Sequence, residues 1–227
     1  MDAVNVSFSL MELFRMGGVF MWPLLFFSVA VIAISLERAI YIGYHNLRMD
    51  DLGKVLAGYI REGNLAQGRE YLSPLAKRRM GARILLTMID RAGLGEHRME
   101  RAVETEALSR INSLENGLNF LTALGSISPL TGFLGTVSGM IGAFRSIAEA
   151  TEVNAQIVAN GIYEALITTV FGLIIAIIAM IFHSIFSHIV DKFSADVEQT
   201  CSELITEMTV PQAPRPQIRE MRFHDDH

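Results

Sequence analysis

The sequence predicts an all-α integral membrane protein with three transmembrane helices, in which long helices extend into a helical cytoplasmic region. Three observations lead there. The chain is 51% hydrophobic and 19% charged, with a mean hydropathy of +0.35, against about 25% charged for an ordinary soluble domain. It holds three charge-free stretches, Gly18–Leu36, Asn116–Phe144 and Ala165–Val190, and a spanning helix needs only about 20 apolar residues. The basic residues are unevenly placed: twelve of the nineteen Lys and Arg fall between His45 and Glu115, four lie beyond Val190, and none lies in Ser146–Asn160. Because Lys and Arg are retained on the cytoplasmic side, the N-terminus is expected outside and the tail inside.

Residues 1–16 form a periplasmic arm, and residues 17–43 the first span. Asp2, Glu12 and Arg15 precede that span in place of a basic leader, and no small-x-small cleavage site follows, so it reads as a retained helix and not a signal peptide. Trp22 and Pro23 suit an interfacial anchor and a first-turn proline. Glu37 and Arg38 close the span; neighbours on a helix do not share a face, which assigns them to anchoring or packing. Residues 44–115 are the cytoplasmic helical region, with short amphipathic helices broken near Gly63, Pro74 and Gly93. From Glu96 a longer helix carries Val103, Ala107, Ile111, Leu114, Leu118 and Leu121 at spacings of three or four. That stripe is expected to cross Glu115 unbroken into the second span, residues 116–145. A periplasmic loop (146–159) leads to the third span (160–190), and residues 191–227 form a cytoplasmic tail. Its end, "VPQAPRPQIREMRFHDDH", is Pro-rich and charged, the composition of a disordered segment. The single Cys201 excludes an internal disulfide framework and reads as an inert thiol in a reduced compartment.

The stretch "GSISPLTGFLGTVSGMIGAF" (residues 125–144) has five glycines, a proline and no charge. Each glycine costs roughly 1 kcal/mol in a water-exposed helix. In lipid, apolar burial does not drive helices together, and small residues that allow close backbone approach do. Gly125, Ser128, Gly132, Gly135, Gly139 and Gly142 are spaced 3, 4, 3, 4, 3 and fall on one stripe. Ala165, Thr169, Gly172, Ala176 and Ala179 form a matching stripe on the third span. Two such stripes predict a tight helix pair and contacts between copies.

The polar residues of the spans are the candidates for function. At 1.5 Å per residue, Thr136 lies roughly 13 Å below Arg145, and Thr169 is at a similar depth on span three. The two hydroxyls are expected to meet near mid-bilayer on antiparallel helices. Spacing alone leaves them two roles: bonding back to their own helices or lining a pore. Glu164 lies at the outer start of span three, one turn above Thr168. It is either an interfacial carboxylate favoured by the helix N-terminus or an acid on an ion path. His183 and His188 read as interfacial. The spans hold no carboxylate at mid-depth, so a proton relay built from this chain alone would lack a titrating centre: either the acid comes from another subunit or protons do not pass.

The segments "SPLTGFLGTVSGMIGAF" and "NGIYEALITTVFGLIIAI" resemble the MotA/TolQ/ExbB proton-channel family, and within it the ExbB/TolQ branch. The family pattern runs approximately (A/S)P-xx-GLLGTV-xGMI-xxF, then GI-xEAL-xTT-xxGL-xxAI. The opening "GGVFMWPLLFFSVAVIAISLER" is similar to the first span of many such chains, and the likeness extends over roughly Gly17–Ile189. Phe133 and Ser138 depart from the residues common at those positions. The flagellar MotA branch is longer and has four spans.

The resemblance implies a bacterial inner-membrane pentamer whose second and third spans line a central pore. In that pore sit single-span partner helices of the ExbD/TolR type, each carrying an aspartate that takes up and releases a proton. It also implies that Thr136 and Thr169 line the path, with Glu164, and Thr168 one turn below it, alongside. The motion would pass to a TonB- or TolA-like protein in outer-membrane transport or envelope maintenance. On this reading the chain is not an enzyme, takes no cofactor or metal, and binds no nucleic acid. It carries no GxxxxGK[ST] phosphate loop, and neither inverted repeats nor the broken helices of a secondary transporter. A non-conducting oligomeric membrane scaffold is the alternative, and it would keep full function without a proton gradient.

Overall fold

The computed structural model describes residues 14–149 and 155–209. The N-terminal arm before Phe14, the tip of the 146–159 loop and the tail beyond Thr209 lie outside the described residues. All regular structure among those described is helical: α1 (Met21–Tyr44), α2 (Asp50–Arg61), α3 (Leu65–Leu75), α4 (Met80–Arg91), α5 (Glu96–Glu115), α6 (Leu118–Glu149) and α7 (Ala155–Thr209). Three helical stretches are long and apolar enough to cross a membrane: α1, the α5–α6 stretch, and α7 from Val158 onward. The chain divides into two compact units, residues 1–47 with 108–195, and residues 48–107 with 196–227.

In the first unit, Gly18 turns the chain into α1 with φ +65°, in the left-handed region that favours glycine. α1 packs on α6 through Met21, Leu24, Val31 and Ser35, while Trp22, Phe26, Ile32 and Leu36 face outward. Apolar side chains pointing outward cost nothing when the solvent is lipid.

The expected single helix from Glu96 into the second span is interrupted. α5 stops at Glu115, Asn116 and Gly117 form a turn, and α6 begins at Leu118. The side chain of Arg38 lies against this turn. Its Nη1 donates to Ser113 O at 3.2 Å and to Leu114 O at 3.4 Å, the carbonyls that Gly117 and Leu118 N–H would occupy in a continuous α-helix. The same side chain covers Gly117, where a Cβ would stand 2.5 Å from Arg38 Nε. Glu37 and Arg38 also depart from expectation. Adjacent on α1, they still form a two-pronged ion pair, Nε to Oε2 at 2.5 Å and Nη2 to Oε1 at 2.9 Å. Both side chains are long enough to bend round the helix, and the guanidinium stacks over the Tyr41 ring at 5.1 Å.

The second unit is a small helical cluster around Leu52, Leu56, Leu72, Ile84, Leu85 and Met88, all fully buried. Gly63 (φ +70°) joins α2 to α3, and Asn64 caps α3 by accepting from Gln67 N–H at 3.3 Å. The break expected near Pro74 is present: the proline sits in the last turn of α3, where it removes a single backbone bond, and the helix ends after Leu75. Gly93 also marks a break, within the 3₁₀ turn Ala92–Leu94. Ion pairs Arg79–Asp51 (2.9 Å), Arg69–Asp90 (2.8 Å) and Arg61–Glu207 tie its surface.

The helix that carries the third span runs on beyond Val190, as expected of long helices that extend from the spans: α7 continues to Thr209 without interruption, and Phe193, Val197, Cys201 and Leu204 prolong its buried stripe at spacings of three and four.

Candidate functional site

α6 and α7 pass antiparallel in the first unit, joined along a seam of small residues. A Cβ on Gly172 would lie 2.6 Å from Ser128 O and 3.3 Å from Gly132 Cα. One on Gly132 would lie 2.8 Å from Thr168 O. One on Gly139 would lie 3.0 Å from Gly161 O and 3.1 Å from Ala165 Cβ. Toward the inner end Gly125 is in ordinary contact with Met180 and Ala179, and with Ala176 O at 3.8 Å. At Gly132 and Gly172 the approach is to backbone atoms, at distances that only glycine permits. Ser128 is fully buried in the seam, its hydroxyl turned back to Leu124 O at 2.6 Å.

Gly142 departs from the expected stripe: nothing lies within 4 Å of where its Cβ would be. A 3.5-residue repeat slips about 20° per heptad on a 3.6-residue helix, and by Gly142 the accumulated slip has turned the position off the seam. Ala143, about five full turns beyond Gly125, is buried in its place and meets Gly161. Gly161 itself went unnoticed, although its spacing of four from Ala165 extends the α7 stripe.

Three threonines surround Gly132. Thr136 donates to Phe133 O at 2.7 Å on its own helix. Thr169, half-buried, donates across the seam to Gly132 O at 3.2 Å. The Thr136 and Thr169 hydroxyls are therefore each bonded to an α6 carbonyl and not to each other. Thr168, expected alongside the path, is 1% exposed; its hydroxyl donates to Ala165 O at 2.7 Å and lies 3.3 Å from Gly132 O. Successive residues on a helix are turned by about 100°, which puts Thr168 inside the seam and Thr169 at its edge. Thr168 is thus removed from the set of exposed candidates.

Glu164 stands one turn above Thr168 at the rim of a cavity of about 350 Å³. Gly17, Val19 and Phe20 close one side, and Gly135, Ser138, Gly139, Ser146 and Gly161 line others. Gly18 lies directly against the carboxylate, and a Cβ at that position would come within 2.9 Å of Glu164 Cδ. The turn before α1 therefore needs glycine for its positive φ and for the space Glu164 takes. The sequence offered no sign of this pairing, because 146 positions separate the two residues. His183 is half-buried and His188 exposed. Among the described residues no three His, Cys, Asp or Glu side chains are grouped to hold a metal ion.

Charge is concentrated outside the spans. The Arg79 guanidinium beside Asp51 holds that carboxyl below its ordinary value, and Arg48 adds to the effect. Burial pushes the Cys201 thiol up to about 12, in the charged stretch of α7 beyond Asp191.

Comparison with known proteins places these features in a lineage. An ExbB-like biopolymer transport protein of Synechocystis is 32% identical over 191 residues, covering 81% of this chain and 88% of that one. The biopolymer transport protein exbB1 of Vibrio cholerae is 27% identical over 198 residues, 85% of each chain. The Tol-Pal system protein TolQ of Haemophilus influenzae is 38% identical over 106 residues, 47% of this chain and 46% of its own. Residues 71–199, which hold the α6–α7 seam and its three threonines, match the family described as the MotA/TolQ/ExbB proton channel family, and the chain belongs to that family.

Proposed function

We propose that this chain is the channel-forming stator subunit of a motor driven by the proton gradient across a bacterial inner membrane. It is non-enzymatic, lies with its N-terminus in the periplasm and its C-terminus in the cytoplasm, and assembles as a homo-oligomer, a pentamer by family likeness. Its partner is a single-span ExbD/TolR-like protein with an intramembrane aspartate, and the output is movement of that partner, passed to a TonB- or TolA-like protein. Protons move inward past Glu164, Thr136 and Thr169 while the partner's aspartate is alternately neutralised and charged. One charge crossing the membrane potential releases about 2.3 kcal/mol per 100 mV, and this drives the motion.

The observation that carries this reading is the placement of Thr169. Its hydroxyl sits at the edge of the seam, half-buried, at the level of Gly132, in spans that bring no mid-depth carboxylate of their own. The scaffold alternative would use that hydroxyl only for its bond across the seam to Gly132 O, and it predicts full function without a proton gradient. The test is Thr169→Val in the full assembly, with membrane assembly verified and proton-driven uptake or envelope integrity measured. The expected result is a loss of at least tenfold with assembly retained. Wild-type activity would remove Thr169 from the path.

A further inference from the structure

The hydroxyls of α6 bond back to their own helix, with one exception. Six of its seven Ser and Thr side chains donate to a carbonyl three or four residues earlier, the local bond open to a hydroxyl inside a helix. Ser138 does not: it is exposed, and its hydroxyl makes no hydrogen bond among the described residues. The Glu164 carboxylate on α7 is in the same condition, half-buried and without a hydrogen bond or ion pair among the described residues. Both line the cavity of about 350 Å³ that the turn before α1 closes on one side.

The shape and chemistry of that space suit water and a small cation. Its lining follows α6 from Ser146 down to Gly135, roughly 16 Å of helix at 1.5 Å per residue. The volume has room for roughly ten water molecules at about 30 Å³ each. Ordered water needs polar partners, and the walls offer the Ser138 hydroxyl, the two oxygens of Glu164 and the lone pairs of Ser146, whose proton goes to Gly142 O at 3.0 Å. Among the lining residues Glu164 alone is ionisable. The floor is closed, because a Cβ on Gly135 would lie 2.8 Å from the buried Thr168 Cβ. That floor stands at the level of Thr136, the next residue on α6. The wall on the α1 side is fixed as well. Gly18 lies against the carboxylate, and a Cβ on Gly17 would lie 3.4 Å from Ile167 Cγ2, so the turn rests on α7 at two points.

We infer that this cavity is a water-filled inlet contained within each copy of the chain, in which the Glu164 carboxylate collects a proton from the outer face and the turn before α1 is the wall that holds water against it. This rests on the reading of Glu164 as part of the proton path. It adds residues 17–20, which precede the first span, to a path otherwise drawn through the second and third spans. An assembly then has as many entrances as it has copies, each apart from the lane that holds the partner helix.

The test reads cysteine chemistry in spheroplasts and proton flux in inverted vesicles, each carrying the full chain with its single-span partner. Cys201→Ala is the background, so that the introduced thiol is the only one in this chain. Ser138→Cys on α6 and Val19→Cys on the turn are each treated from the outer face with a cationic trimethylammonium-ethyl and an anionic sulfonatoethyl methanethiosulfonate. Both positions should react. The ratio of the cationic to the anionic rate should fall at least threefold at each when Glu164→Gln removes the neighbouring charge. Ser146→Cys, on the same wall, replaces Ser138→Cys if that variant does not assemble, and Glu164→Ala likewise replaces Glu164→Gln. Flux in Glu164→Gln should fall at least fivefold with the oligomer intact. Thiols that stay unmodified, or rate ratios that ignore the loss of the carboxylate, would overturn the inlet, and a loss of flux in Glu164→Gln would then still keep the acid on the path. Full flux in Glu164→Gln would remove the acid from the path, and the inlet role with it, however the cysteines react.

Discussion

The guanidinium of Arg38 donates to the carbonyls of Leu114 and Ser113, 76 and 75 residues away in the chain, and the helix that the sequence draws as continuous ends there. The bond holds α1 against the turn at Asn116 and Gly117. Arg38→Ala should therefore destabilise the first unit by about 1.5–3 kcal/mol, the range for hydrogen bonds to a charged group. Arg38→Lys should recover only part, since an ammonium lacks the planar fork that spans two carbonyls and a carboxylate. Thermal unfolding in detergent reads both, and an Arg38→Ala protein melting with wild type would mean that the contact carries no weight.

The seam makes an opposed pair of forecasts for two glycines of similar sequence context. Gly172→Ala puts a methyl group 2.6 Å from Ser128 O, a backbone atom that cannot swing aside. The helices must separate, at a cost of about 1–3 kcal/mol. Gly142→Ala enters open space and should stay within about 0.5 kcal/mol of wild type. Resistance to heating and proteolysis in detergent ranks the two, and equal behaviour would refute the seam geometry.

Asp51 gives the second unit an acid limb. Its folded-state pKa is lowered, chiefly by the hydrogen bond from Arg79, so the stabilisation is fully present above the ordinary value of 3.8 and is lost as pH falls through the lower folded value. Asp51 is exposed, and the effect is correspondingly screened. Asp51→Asn should flatten the decline in stability below about pH 4 while changing little at higher ionic strength. Circular dichroism against pH at low and high salt is the measurement, and an unchanged acid limb would refute the pairing.

Cys201 should resist alkylation. Its thiol is buried and pushed up to about 12, so at pH 8 only about one molecule in 10⁴ carries the reactive thiolate. Maleimide labelling should be slow in the folded protein and fast in denaturant. Rapid labelling of the native protein would show that α7 is open around Val197, Cys201 and Leu204.

The spans and the small-residue stripes were legible because they are local patterns, an apolar length and a period of three and four. The same logic placed Val103, Ala107, Ile111, Leu114, Leu118 and Leu121 on one face, and all but the half-buried Ile111 are buried. What escaped was long-range or angular. The break at Asn116–Gly117 has no proline to announce it, and the side chain bonded there lies on α1. Glu164 and Gly18 meet through a contact between the turn before α1 and a residue well inside α7. The exchange of Gly142 for Ala143, and of Thr168 for Thr169 at the open edge, turn on rotations of about 100° per residue, which a stripe read by spacing alone does not resolve.

The α6–α7 joint brings main chain against main chain at Gly132 and Gly172. One copy alone in a bilayer should be leak-tight. Charge would have to skirt the outer flanks of these two helices, where Phe133, Leu134 and Val170 now face outward, so conductance is a property of whatever docks there and not of the hairpin itself.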